Sequence, residues 1–190
     1  VEVLRRFFRT IAMSQANYRL AYVTDVGCAV AFGALGVRAG GAWFAALASV
    51  FGGAFVFSFV EYALHRWLFH SDALIWSELH ASHHDHPKQP AALPFWFSAG
   101  SAPMFFWILA PWTSAFVAHF VLCGFFAAYF GYGVLHHLQH SIRINDISLR
   151  WVRRKWTAHA VHHGREDVNF GVTTSLWDRL LGTYYETRRS

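Results

Sequence analysis

Residues 42 to 70 read AWFAALASVFGGAFVFSFVEYALHRWLFH, and this stretch decides how the chain is understood. From Ala42 to Leu64 the only charge is Glu61, and at 1.5 Å per residue a helix of this length crosses a bilayer core of about 30 Å. The run then delivers two imidazoles, His65 and His70, immediately past its apolar end. A membrane span that terminates in histidines sets the two themes of the sequence.

Working outward, three more apolar segments cover Ala21 to Val37, Leu93 to Ala110 and Trp112 to Leu135. Arg38-Ala39-Gly40-Gly41 joins the first pair and Ala110-Pro111 the second, so both pairs read as helical hairpins with the two chain ends on one side. Composition agrees: 55% of the 190 residues are hydrophobic and 18% aromatic but only 14% charged, which excludes disorder and suits a surface facing lipid. Every Lys and Arg except Arg38 lies in the N-terminal flank, in 65–92 or after Leu135, which marks that side as cytoplasmic. A soluble all-α protein with buried helices is the competing reading, and loops so poor in polar residues weigh against it.

The expected fold is therefore all-α: one domain, 1–190, built as an integral membrane four-helix, two-hairpin bundle with a cytoplasmic, histidine-rich helical cap from 65–92 and 136–190. Residues 1–20 place Arg5, Arg6, Arg9 and Arg19 among Leu4, Phe7, Phe8, Ile11 and Leu20, a basic amphipathic helix for an anionic membrane surface or else a solvated positive flank. The arginine-rich start has no small-residue cleavage site, so no secretory signal is read there and targeting is expected from the spans. The net charge of +5 comes with no nucleic-acid module, and Cys28 and Cys123, each alone in an apolar run, read as packing residues.

Ten of the 13 histidines form four sets beyond the second and fourth spans. On a helix, residues three and four apart share a face, so His80/His83/His84, His136/His140 and His159/His162/His163 each aim imidazoles at one point. His65 and His70 are five apart, about 140° off a common face of an α-helix, so the helix is expected to end or distort near Phe69 to Asp72. Imidazole is neutral at pH 7 and binds first-row transition metals, and ten rings suit two metals, each with four or five nitrogens and an open position. His86, His119 and His137 fall outside the spacing and are read as non-ligands. Glu61, four before His65, and Tyr132, four before His136, are candidates to orient a ligand ring.

These motifs resemble the fatty acid hydroxylase and sterol desaturase superfamily. Glu61 to His70 resembles the first histidine motif of its fatty acid 2-hydroxylase branch, Leu79 to His84 the second and His136 to His140 the third. Lys155 to His163, followed by Asn169 to Asp178 and Gly182-Thr183, is similar to the last motif and its tail. In that tail Ser175 and Asp178 have capping-box spacing, Gly182 can close a short helix, and Leu176, Trp177, Leu180 and Leu181 are expected to pack beneath the metal site or on the membrane.

The resemblance implies a non-haem di-iron centre held by His65, His70, His80, His83, His84, His136, His140, His159, His162 and His163. It implies an oxidoreductase that uses O2 to hydroxylate or desaturate an unactivated carbon of a membrane lipid, fatty acyl, sterol or similar. No b-type cytochrome domain is fused within these residues, so electrons are expected from a separate ferredoxin or cytochrome. Small size suggests a carotenoid hydroxylase as a variant within the enzyme class. The alternative of another class is a zinc-binding membrane protein or zinc hydrolase, with Glu61 as the one nameable base; zinc is also expected to load such sites in purified protein.

Overall fold

The computed structural model describes residues 2–71 and 75–186, and among them every regular element is helical. In chain order these are α1 (Glu2–Ala12), α2 (Gln15–Ala39), α3 (Trp43–Ala63), a π-helical segment (Leu64–Phe69), α4 (Ile75–Asp85), α5 (Trp96–Leu109), α6 (Ala115–Ser141), α7 (Arg150–Gly164) and the short α8 (Leu176–Leu180). They form two compact units: Val1–Phe57 with Pro90–Gly131, and Ser58–Gln89 with Tyr132–Ser190. Both α3 and α6 contribute residues to each.

Three helices are long and apolar enough to cross a bilayer: Gln15–Ala39, Trp43–Phe69 and Ala115–Ser141. Their outward side chains, among them Val23, Val30, Phe44, Leu47 and Phe51, are exposed, as lipid contact requires. The segment expected as a third span differs. Pro94 lies ahead of the first turn and Pro111 opens a 3₁₀ turn, so α5 is limited to 14 residues, about 21 Å, short of the hydrocarbon thickness. Pro103 removes a further amide donor from its interior.

The expected N-terminal helix over 1–20 also divides. Ser14 Oγ accepts the Asn17 N–H and starts α2, so α1 ends at Ala12 and Arg19 and Leu20 belong to the first span. Asn17 is buried and ties this junction down: its side chain donates to the Ala92 and Leu93 carbonyls and accepts the Phe95 N–H at 2.9 Å.

In the first unit Ala29, Phe32, Ala102, Leu122 and Phe126 form the core, with Cys28 and Cys123 packed against it. Two glycines allow α3 and α6 to approach backbone to backbone. A Cβ at Gly53 would collide with the Val121 carbonyl, and one at Gly124 with the Val50 carbonyl. Close approach through small residues is the means by which helices associate where lipid offers no hydrophobic drive. Gly52 meets nothing within 4 Å. Gly53→Val and Gly124→Val are therefore expected to destabilise by about 3 kcal/mol, the upper end for overpacking, since neither backbone can yield cheaply, while Gly52→Ala does not lower the unfolding midpoint in detergent. Thermal unfolding of the three variants checks this.

Candidate metal centre

Each histidine reaches the centre for a local reason. The π-helical segment closes i→i+5 hydrogen bonds, which stack residues five apart and turn His65 and His70 to one side despite their spacing. The distortion expected near Phe69 to Asp72 thus begins earlier, at Leu64; Asp72 lies outside the described residues. On α4, His80 and His84 face one way and His83 another. α6 runs past its apolar stretch to Ser141, so His136 and His140 lie on an unbroken helix. α7 carries His159, His162 and His163 in its last two turns.

The ten rings sort into two sets of five. His65, His70, His80, His84 and His162 form the first, and His83, His136, His140, His159 and His163 the second; within each, one nitrogen per ring lies within 4.8 Å of all the others. His80 Nε2 stands 3.0 Å from His65 Nε2, 3.1 Å from His70 Nε2 and 3.0 Å from His84 Nε2. In the second set His136 Nε2 is 3.1 Å from His83 Nε2 and 3.2 Å from His140 Nε2, which lies 2.9 Å from His159 Nε2. A neutral imidazole has one hydrogen, so such convergence cannot be satisfied by mutual hydrogen bonds.

A shared cation would satisfy it. Two nitrogens about 2.1 Å from one metal are about 3.0 Å apart at a right angle and about 3.4 Å apart at the tetrahedral angle. The observed spacings fit five ligands at right angles better than a four-coordinate tetrahedron. Protonation fits as well. Burial, reinforced by neighbouring rings, holds His83 down to about 3 and His163 to about 2. Burial also lowers His162 to about 3, and lowers His80 and His159. All keep a free lone pair at neutral pH.

Outward nitrogens are oriented chiefly by the loop after α7. His162 Nδ1 donates to the Val168 carbonyl at 2.8 Å and His65 Nδ1 to the Phe170 carbonyl. Between them Asn169 has φ +56°, a conformation asparagine tolerates, and its side chain bonds the Ala158 and Tyr185 backbone. Asp178, 1% exposed, accepts the N–H groups of Phe170 and Gly171 and the Thr183 hydroxyl. Glu61 accepts the Val172 and Thr173 N–H groups and the Thr173 hydroxyl. Lys155 Nζ donates to the Gly171 carbonyl at 3.1 Å; burial lowers it to about 8 against the pull of Glu61 and Asp178.

Several sequence readings change here. Glu61 clamps the loop that presents Phe170 to His65 and does not itself bond the ring. Tyr132 stacks on His136, with centroids 5.6 Å apart and planes at 12°. The capping box does not form: Ser175 makes no side-chain cap, because Asp178 is drawn inward by the Phe170 and Gly171 amides. Gly182, at φ +75°, does follow α8 as expected. Trp177 donates to Ser58 Oγ and packs on Phe59, and Leu176, Leu180 and Leu181 are exposed, which leaves them free for the membrane and not packed beneath the histidines. His119 stacks on Phe106 and joins neither set. Missed altogether was Glu166, whose oxygens lie 3.4 Å from His70 Nδ1 and 3.7 Å from His84 Nδ1. Its place three residues after His163 was the available signal.

The profile of the fatty acid hydroxylase family matches residues 50–183, which hold every one of these histidines. The chain belongs to the fatty acid hydroxylase family. Relatives of this hydroxylase-family chain include the dihydroceramide fatty acyl 2-hydroxylase FAH1 of Arabidopsis thaliana, 32% identical over 72% of this chain and 60% of FAH1. Another is the ceramide very long chain fatty acid hydroxylase SCS7 of Saccharomyces cerevisiae, 29% identical over 70% of this chain and 36% of SCS7. These relatives match the 2-hydroxylase-like branch, and the chain spans about three fifths of FAH1 and about a third of SCS7. A solved structure of full-length scs7p, with only its hydroxylase domain visible, has the same fold: TM-score 0.76 at 22% identity, covering 95% of this chain and 70% of that one. With its three apolar helices, this family member is an integral membrane protein.

Because Asp178 holds two buried amides and a hydroxyl, Asp178→Ala is expected to cost about 3 kcal/mol or more. Asp178→Asn, which keeps one acceptor, costs less. Denaturant unfolding in detergent measures both, and metal retained after gel filtration should fall in the same order.

Proposed function

We propose that this chain is an O2-dependent membrane oxidoreductase that hydroxylates an unactivated C–H bond of a lipid acyl chain at a centre of two metals, natively iron. The observation that carries the reading is the convergence of ten buried and half-buried imidazoles into two sets of five, with no thiolate and no carboxylate in either set. All-nitrogen donor sets suit iron, and iron supplies the oxygen-activating redox chemistry that acid and base groups lack.

What the chain's own residues do follows from the site. The histidines present lone pairs inward. The Val168 and Phe170 carbonyls fix the tautomers of His162 and His65, leaving Nε2 unprotonated toward the metal. The relatives named as fatty acyl and ceramide hydroxylases favour an acyl chain over a sterol or carotenoid, and hydroxylation over desaturation. Electrons come from a ferredoxin or a b-type cytochrome. The distribution of Lys and Arg supports a cytoplasmic position for the histidines and both chain ends, with α5 completing a two-hairpin membrane domain alongside the three longer helices.

The zinc hydrolase alternative is the weaker one. Five imidazoles per set exceed the tetrahedral preference of zinc. Glu61, the base it would need, has its oxygens engaged by Val172 and Thr173.

Expressed in a host with a compatible reductase, the chain should add one oxygen to membrane acyl chains, detected by mass spectrometry of lipid extracts. His83→Ala and His162→Ala, one from each set, should each abolish that product and lower the iron content from about two per chain. A variant that keeps full metal and full product would sink the assignment.

A further inference from the structure

The two histidine sets differ in what stands behind them. In the first, the outward nitrogens of His65 and His162 meet the Phe170 and Val168 carbonyls. His70 Nδ1 lies 3.4 Å from one Glu166 oxygen, so three of the five rings face an acceptor; His84 Nδ1, 3.7 Å from the other oxygen, has that charge beside it but is buried without a hydrogen bond. In the second set His159 Nδ1 is buried without a partner while its Nε2 points inward, and among the described residues no ring of the set is hydrogen-bonded to a backbone carbonyl. Among the described residues no carboxylate pairs with any ring of that set.

An acceptor behind an imidazole fixes which nitrogen holds the hydrogen, orients the ring and raises its basicity toward a metal. A carboxylate adds a full negative charge near the bound cation, and Glu166 brings one to the first set. At His159 a metal bound through Nε2 leaves the Nδ1 hydrogen buried with no acceptor. The difference therefore runs in one direction on three counts: tautomer, orientation and charge.

We infer that the two sites are unequal. The set of His65, His70, His80, His84 and His162 retains its metal, the other set releases first, and Glu166 is the positioning residue responsible for much of the gap. This rests on the reading that each set of five holds one metal. The exposed position of Glu166, 62% accessible at its side chain, makes it replaceable without disturbing the core.

The test uses the full chain in lipid nanodiscs, loaded anaerobically with ferrous ion and then challenged with excess chelator, with the metal remaining on the protein measured over time. Release in two phases of equal size, at rates at least about 10-fold apart, is the expected result. Glu166→Gln should speed the slow phase by about 10- to 100-fold and leave the fast phase alone. Glu166→Asp should restore part of the slow phase, and His163→Ala should keep the slow phase only. A single rate for both metals overturns the inequality but leaves the two-metal reading standing, and a Glu166→Gln chain whose slow phase is unchanged overturns the role given to Glu166. Saturation at fewer than two irons per chain overturns both.

Discussion

Two sets of five ring nitrogens, in which neighbouring rings approach to about 3 Å in a buried to half-buried setting, are the constraint on which the rest of the second unit depends. Alone they are mutually frustrated, since each neutral imidazole brings one hydrogen and His80 Nε2 faces three partners. A cation shared by each set would remove the conflict. The π-helical segment, the length of α6 past its apolar stretch and the placement of three histidines at the end of α7 all serve that convergence.

The second demand is orientation, and here the buried acids act. Glu61 and Asp178 bond successive amides from Phe170 to Thr173, fixing the loop that gives a carbonyl to His65. Thr183 extends the clamp: Arg66 donates to the Tyr62 hydroxyl, Tyr62 pairs with Thr183, and Thr183 donates to Asp178. Charges buried this way are stabilising only while their partners remain, so the loop and the metal ligands should fail together. Membership of the fatty acid hydroxylase family is consistent with this division of labour, because the family profile spans both the histidines and the clamp.

Much of this was legible in the chain itself. Spacings of three and four identify His80, His83, His84, His136, His140, His159, His162 and His163 because a regular helix fixes the angle between them. His65 and His70 marked a distortion but not its kind, since a π-helical segment has no residue signature. The loop was opaque for a deeper reason. Carbonyl acceptors such as Val168 and Phe170 carry no side-chain identity, and Asp178 had a local capping role to offer that tertiary amides overrode. Likewise Leu93 to Ala110 showed its hydropathy plainly, yet Pro94 and Pro111 set the helix length, and they reduced it below a span.

The most direct test of the central claim is X-ray absorption at the iron edge of the full chain loaded anaerobically. Two sites of five imidazoles should give about five nitrogen neighbours per iron with the outer-shell pattern of imidazole, and two irons per chain. A four-coordinate shell, sulfur neighbours or a shell dominated by carboxylate oxygen would contradict it.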